Sequence, residues 1–250
     1  MAGLTAQAQI QAQRAKIPRI LLGTSPFIGA GQFGSRAFQY YCHFYEHPEN
    51  IVKIIGKSTD LGVRGIHVLP YPPVVKAIKL AEHDLKLELS VLGTVRSEDP
   101  YGDIEILQGL RAVAMLIHGE ITDSHNQNKI NELLNQIRQV GSLAGIVTHA
   151  PFSTLEWVQK AGIDIDMIMI PFNKLGKFMD STPEKVLEVA LRTGRLLIGK
   201  KVLAAGGLGP REGLEYAFKN GIKTVAVGIA SESEAEETFS VATELLRKYQ

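Results

Sequence analysis

The chain has 250 residues, 45% of them hydrophobic and 21% charged, so it can bury a large core without disulfide or metal staples. Its 27 basic and 26 acidic residues leave a net charge of +1 and are scattered rather than blocked, which argues against a nucleic-acid or membrane-surface partner and for a small-molecule ligand. The single Cys42 excludes an intrachain disulfide and a cysteine-based metal knuckle, and no apolar run reaches membrane-spanning length, so a reducing, cytoplasmic setting is expected.

In chain order, Ala6 to Ala15 (AQAQIQAQRA) reads as a polar helix former rather than a signal sequence. Short continuous apolar runs, of the kind buried on both faces, then alternate with amphipathic helical segments. Strands are predicted at Arg19–Pro26, Arg64–Pro70, Glu88–Val95, Ala112–His118, Leu143–His149, Asp166–Phe172, Lys201–Gly206 and Thr224–Ala230. The helices between and after them are Glu49–Leu61, Pro73–His83, Ile104–Leu110, Gln127–Val140, Thr154–Ala161, Pro183–Thr193, Arg211–Asn220 and Glu232–Lys248. Gly62, Gly141, Gly162, Gly194 and Gly221 each follow an apolar-periodic segment, as left-handed helix stops do.

Repeated strand–helix units imply parallel pairing with right-handed crossovers, and eight of them close the sheet. The fold class is therefore α/β: one (β/α)8 TIM barrel over residues 1–250, with an extra N-terminal helix and a long loop after the first strand. An open doubly wound sheet competes, but no GxGxxG follows the first strand. The long loop, Ile28–Pro48, holds three glycines and five Phe or Tyr residues between Phe33 and Phe44, and is expected to fold over the barrel mouth.

In such a barrel the site lies at the C-terminal strand ends. His118 (AMLIHGEITD) and His149 (GIVTHAP) end adjacent strands, which suits a proton-handling pair or half a metal site; each also reads as a histidine capping the core. No carboxylate is placed to be a third ligand, so no metal is assigned. His43 and His47 have helical i, i+4 spacing in an aromatic lid segment ended by Pro48, while His67, His83 and His125 read as structural or solvated. Arg96 (GTVRSED) either binds an anion or pairs with Glu98 or Asp99. Lys174 (PFNKLGK) suits a Schiff-base nucleophile if desolvated, and a solvated lysine otherwise. Lys200–Ser231 reads as a closing βαβ unit whose strands end in Gly206-Gly207 and in Gly228-Ile229-Ala230-Ser231, a phosphate-binding arrangement.

With these residues in hand, the chain resembles the aldo/keto reductase superfamily. The likeness runs through AVAMLIHGEITD, through INELLNQIRQVGSLAGIVTHAPFSTLEWVQKAGIDIDMIMIPFNKL with its Pro-aromatic-Asn end at Asn173, and through LLGTSPFIGAGQFG and AVGIASESEAEETF at the two ends. It implies a nicotinamide cofactor, NADP(H), beside Asn173, Gly206, Gly207, Gly228 and Ser231, and an Asp–Tyr–Lys–His catalytic tetrad. The histidine carries over to His118. Leu69 stands where the aspartate is implied, Val74 or Val75 where the tyrosine is, and Gly93 or Thr94 where the lysine is, so the tetrad is degenerate; Tyr71 and Arg96 lie nearby as substitutes.

Three functions follow as expectations. The first is a reductase-like barrel of altered activity that binds NADP(H), with His118, His149, Tyr71 and Arg96 as its reactive groups. The second is a lyase or isomerase acting on a small phosphorylated metabolite, with His118 and His149 moving protons. The third is a non-catalytic binding barrel. The ligand is expected to be anionic, and self-association of identical chains is left open.

Overall fold

The computed structural model describes residues 17–249; the helix predicted over Ala6–Ala15 lies outside them. Eight parallel strands close into a barrel in sequence order: β1 (Ile20–Gly23), β2 (Gly65–Val68), β3 (Ser90–Val95), β4 (Ala114–Ile117), β5 (Leu143–Val147), β6 (Met167–Pro171), β7 (Leu196–Lys200) and β8 (Thr224–Gly228), with β8 paired back to β1. Strand residues alternate between two cores, as the two-residue period demands. Leu21, Leu92, Leu116, Val147, Met169, Ile198 and Ala226 fill the interior, while their neighbours pack outward under the helices.

The outer layer begins with α1 (Arg36–Tyr40) and α2 (Pro48–Asp60), followed by α3 (Pro72–Asp84), α4 (Pro100–Gly109), the one-turn α5 (Gly119–Thr122) and α6 (Gln127–Gln139). It is completed by α7 (Pro151–Ala161), α8 (Pro183–Arg192), α9 (Pro210–Lys219) and α10 (Glu232–Lys248). In α6 the buried Ile130, Leu133, Leu134 and Ile137 form one apolar stripe, and the Asn126 side chain caps the first turn by accepting from the Lys129 amide at 3.1 Å. Helix α4 starts four residues before its predicted first residue, because Asp99 caps it and Pro100 opens it.

Seven strands fall within their predicted ranges; β7 does not. It runs Leu196–Lys200, whereas the predicted strand Lys201–Gly206 is a succession of turns. Lys201, Ala204, Ala205 and Gly206 have φ of 55°, 50°, 56° and 89°, a left-handed backbone incompatible with a strand. The apolar run Leu196-Leu197-Ile198 opens the true strand, two residues after the left-handed Gly194.

The loop after β1 does fold over the mouth. Two short turns, Ser25–Ile28 and Gly31–Phe33, lead into α1 and a π-helical turn at Tyr41–Tyr45. It is anchored by Phe27 and Phe44, both fully buried with ring centroids 4.9 Å apart. Among the described residues no helix is long and apolar enough to cross a membrane.

Candidate active site at the C-terminal mouth

A cavity of about 500 Å3 opens at the C-terminal ends of the strands, under the loop after β1. Its floor follows from strand parity. One step above the interior residues Leu116, Val147 and Ile198 come His118, His149 and Lys200, and all three line the cavity with His67, Thr94 and Arg96.

His118 and His149 lie on neighbouring strands with ring centroids 5.2 Å apart and planes at 79°, an edge-to-face pair. The Nδ1 of His118 accepts from the Glu120 amide at 3.4 Å, which leaves its proton on Nε2 in the neutral ring. Burial lowers the pKa of His118, partly countered by Glu120, whose carboxylate is 3.8 Å from Nδ1. Burial and the nearby Lys200 charge push His149 down to about 4. Both rings are therefore neutral at pH 7.

The strand end carrying His149 is held by Asp123. This carboxylate accepts from Thr148 Oγ1 at 2.5 Å, from the His149 amide at 2.9 Å and from Thr154 Oγ1 at 2.8 Å. His67, expected to be structural or solvated, is buried on the cavity wall with its Nε2 2.8 Å from Thr94 Oγ1, and burial lowers its pKa to about 3.

Arg96 pairs with neither Glu98 nor Asp99. Its Nε and Nη2 donate to the fully buried Asp103 of α4 at 2.9 and 2.7 Å, and its backbone amide donates to the same carboxylate at 2.7 Å. Asp99 is instead used as the α4 cap. The Arg96 guanidinium lies 4.3 Å from the Tyr71 ring centroid, so these two residues form one stacked wall of the cavity, and the Asp103 hydrogen bonds raise the Arg96 pKa further.

At the closing strands, Gly206 and Gly228 line the cavity, whereas Gly207, Ser231 and Asn173 are not among its lining residues. A β-carbon on Gly228 would sit 2.9 Å from the Pro26 ring, so the bare backbone there accommodates the loop after β1. Ser231 Oγ accepts from the Glu234 amide at 3.1 Å, and Glu234 accepts from the Ala230 amide at 2.8 Å. This reciprocal capping takes up the Ala230 and Glu234 amides, two of those at the strand end and helix start that a phosphate would use. Asn173 is fully buried and spans two loops, donating to the Lys177 and Lys201 carbonyls at 2.9 and 3.2 Å and accepting from the Lys177 amide at 3.1 Å.

Arg36, Lys200 and Lys201 line the cavity without a carboxylate partner among the described residues. Arg36 reaches across the mouth to donate to the Ala205 carbonyl at 3.2 Å, over Gly206. Lys201 lies 4.4 Å from the Phe178 ring centroid. Burial lowers Lys201 and places Lys200 well below the ordinary lysine range. Lys174, the lysine singled out in the sequence, is exposed and paired with Glu212 at 2.8 Å.

His43 sits in the π-helical turn against Phe44, while His47 precedes α2 with its Nδ1 3.0 Å from Glu49 Oε1, so the two do not share one helical face. Among the described residues no group of three or more His, Cys, Asp or Glu side chains could hold a metal ion. Lys200 is the residue the sequence reading missed. Its signal was present, since Leu196, Ile198 and Lys200 continue one two-residue period, but it emerges only when the strand is placed five residues earlier.

No protein-family model matches the chain, and no curated protein matches it. Solved structures do. A proposed aldo-keto reductase from Pseudomonas aeruginosa superposes with a TM-score of 0.65 at 17% identity, over 92% of this chain and 91% of that one. A variant of Gox0644 in complex with NADPH gives a TM-score of 0.63 at 13% identity, over 90% and 83%. The BexX/CysO complex of Amycolatopsis orientalis gives 0.56 at 15% identity, over 92% and 90%. At these identities the likeness is one of fold: the chain has an aldo-keto-reductase-like (β/α)8 barrel.

Proposed function

We propose that this barrel is an enzyme of the lyase or isomerase type that acts on the carbonyl group of a small anionic metabolite. The observation that carries the reading is the neutral His118–His149 pair beside Lys200 on the floor of one cavity. A carbonyl oxygen gathers negative charge as its neighbouring carbon loses a proton, and a fixed donor in a partly dehydrated site stabilises that charge. His118, with its proton on Nε2, is such a donor, and neutral His149 exchanges protons without first shedding a charge. Arg36 and Lys201 suit a phosphate or carboxylate tail at the β7 turn, since neither has a carboxylate partner among the described residues.

NADP(H) binding is a second reading, favoured by the NADPH-bound neighbour of the same fold and by a cavity that continues from His118 to the start of α10. The residues at that far end do not fit its phosphates. Glu234 and Glu237 present carboxylates there, and the capping interactions already use the amides of Ala230 and Glu234. No hydride step is therefore assigned.

A thermal-shift comparison of dihydroxyacetone phosphate, inorganic phosphate and NADPH tests the two readings, because a ligand at a hundred times its Kd stabilises the folded state by about 2.7 kcal/mol. Stabilisation by the phosphorylated ketone, with exchange of its carbon-bound protons in deuterated water that His118→Ala abolishes, supports the first. A shift with NADPH alone supports the second.

A further inference from the structure

We infer that Lys200 is a covalent nucleophile that forms an imine with the carbonyl carbon of the ligand. The inference rests on the reading above that the ligand carries a carbonyl. Four observations place the lysine. Its position continues the inward column Leu196, Ile198, Lys200, so the stem rises from the barrel core into the cavity. Its register partners, Pro171 on β6 and Ala226 on β8, offer no polar side chain to hold an ammonium group. Among the described residues its amine has no hydrogen-bond or ion-pair partner, while Lys174, Lys177 and Lys201 are engaged or placed elsewhere: Lys174 on Glu212, Lys177 beside Gly207 and Lys201 against Phe178. Finally, the left-handed backbone at Lys201 ends the strand at once, so two consecutive lysines part and only Lys200 stays in the strand column.

The chemistry follows from burial. An ammonium group is no nucleophile, and a desolvated lysine without a counter-ion gives up its proton far more readily than an exposed one. Lys200 is shifted in that direction, with only Asp123 opposing the shift. In the step, the nitrogen lone pair attacks the carbonyl carbon and the C=O π electrons move to oxygen. After proton transfer from nitrogen to oxygen, one further proton, supplied by solvent, lets water leave as C=N forms. The product is a protonated imine plus water. The iminium is a stronger electron sink than the ketone, so the electrons of an adjacent C–H or C–C bond flow to nitrogen as that bond breaks. The proton, or the departing carbonyl fragment, then leaves, as a lyase or isomerase requires.

The test uses the full chain with pyridoxal phosphate and dihydroxyacetone phosphate as separate probes, each followed by borohydride, which reduces an imine to a stable secondary amine. Peptide mapping by mass spectrometry is expected to find the adduct on Lys200. Labelling at that peptide should fall to background in Lys200→Met and Lys200→Arg and persist in Lys174→Met. Mapping of the unsubstituted protein identifies the labelled lysine even if a variant folds poorly. Label spread over exposed lysines, or no adduct from either probe, overturns the inference. If dihydroxyacetone phosphate raises the melting temperature and exchanges its protons but leaves no reduced adduct on Lys200, the proposed function stands and the imine falls. If it neither binds nor exchanges while pyridoxal phosphate labels Lys200 alone, the lysine assignment stands and the proposed function falls.

Discussion

The imidazole of His149 occupies the space that a side chain on Gly119 would fill: a β-carbon there would lie 2.9 Å from Nδ1 and 3.0 Å from Cε1 of the ring. Gly119 immediately follows His118, so the residue that permits the His118–His149 pair is its direct neighbour in sequence. Gly119→Ala should push the His149 ring away from His118. Histidine ring proton shifts in NMR should move, and any proton exchange catalysed at the site should drop at least as far as it does in His149→Ala. Unchanged ring shifts would show that the contact is slack.

Acid should destabilise the protein before its carboxylates titrate. His67 is held down to about 3, chiefly by burial and secondarily by Lys200 and His118 whenever these are protonated, whereas an unfolded histidine titrates near 6.5. Below pH 6.5 the unfolded state therefore binds a proton that the folded state refuses, so the contribution is complete above 6.5 and is lost as pH falls towards 3. At pH 5 this amounts to about 2 kcal/mol for a fully buried ring. His149, which is exposed to solvent at the cavity mouth, adds less because solvent screens it. Urea unfolding at pH 7 and pH 5 should show the loss, and His67→Asn should reduce it.

Breaking the Arg96–Asp103 pair from one side should be severe. Arg96→Met leaves a fully buried carboxylate with only a backbone amide to answer it, a situation that costs about 3–5 kcal/mol. The double variant Arg96→Met, Asp103→Asn should recover part of that loss. Chemical denaturation of the three variants gives the coupling energy, and simple additivity would rule out the pair as a unit.

Asp123→Asn should loosen the end of β5. An amide cannot accept from Thr148, Thr154 and the His149 amide as a carboxylate does, and each hydrogen bond to a charged group contributes roughly 1.5–3 kcal/mol. The substitution also removes a carboxylate whose charge favours protonated Lys200, so the lysine should titrate lower still. Reaction of Lys200 with pyridoxal phosphate across a pH series measures that shift separately from stability.

Ala205 has a left-handed backbone, with φ of 56°, that costs an L-residue roughly 1–2 kcal/mol. Ala205→Gly should recover part of this, and a small rise in melting temperature would show it. A fall would mean that the wider freedom of glycine in the unfolded chain outweighs the relief.

Much of the site could be read directly. The apolar strands ending in His118 and His149 put the two residues at equivalent ends of adjacent strands, although a pair at a site and two histidines capping the core looked alike in the sequence. Tyr71 and Arg96 were placed together by their strand ends, although the buried partner of Arg96 was not visible, because Asp103 lies on the following helix and meets Arg96 only once α4 packs against β3. The phosphate signal at Ser231 looked like open amides, yet the same SESE run supplies its own carboxylate cap. A capping box and an anion site share one composition and differ in which oxygen fills the amides.

The amino-acid sequence by itself determined the alternation of buried strands and half-buried helices, hence the closed barrel and the C-terminal face at which to look for a site, because burial of apolar side chains imposes a period that any reader of the chain can count. Only the tertiary structure decided where β7 ends. Ala204 and Ala205 have no intrinsic preference for a left-handed backbone; they hold it where Val202 is buried and Gly213 of α9 packs against the Val202 carbonyl, contacts that exist only in the folded barrel. That choice of turn sets the phase of the strand, and the phase turns Lys200 inward to the histidine pair.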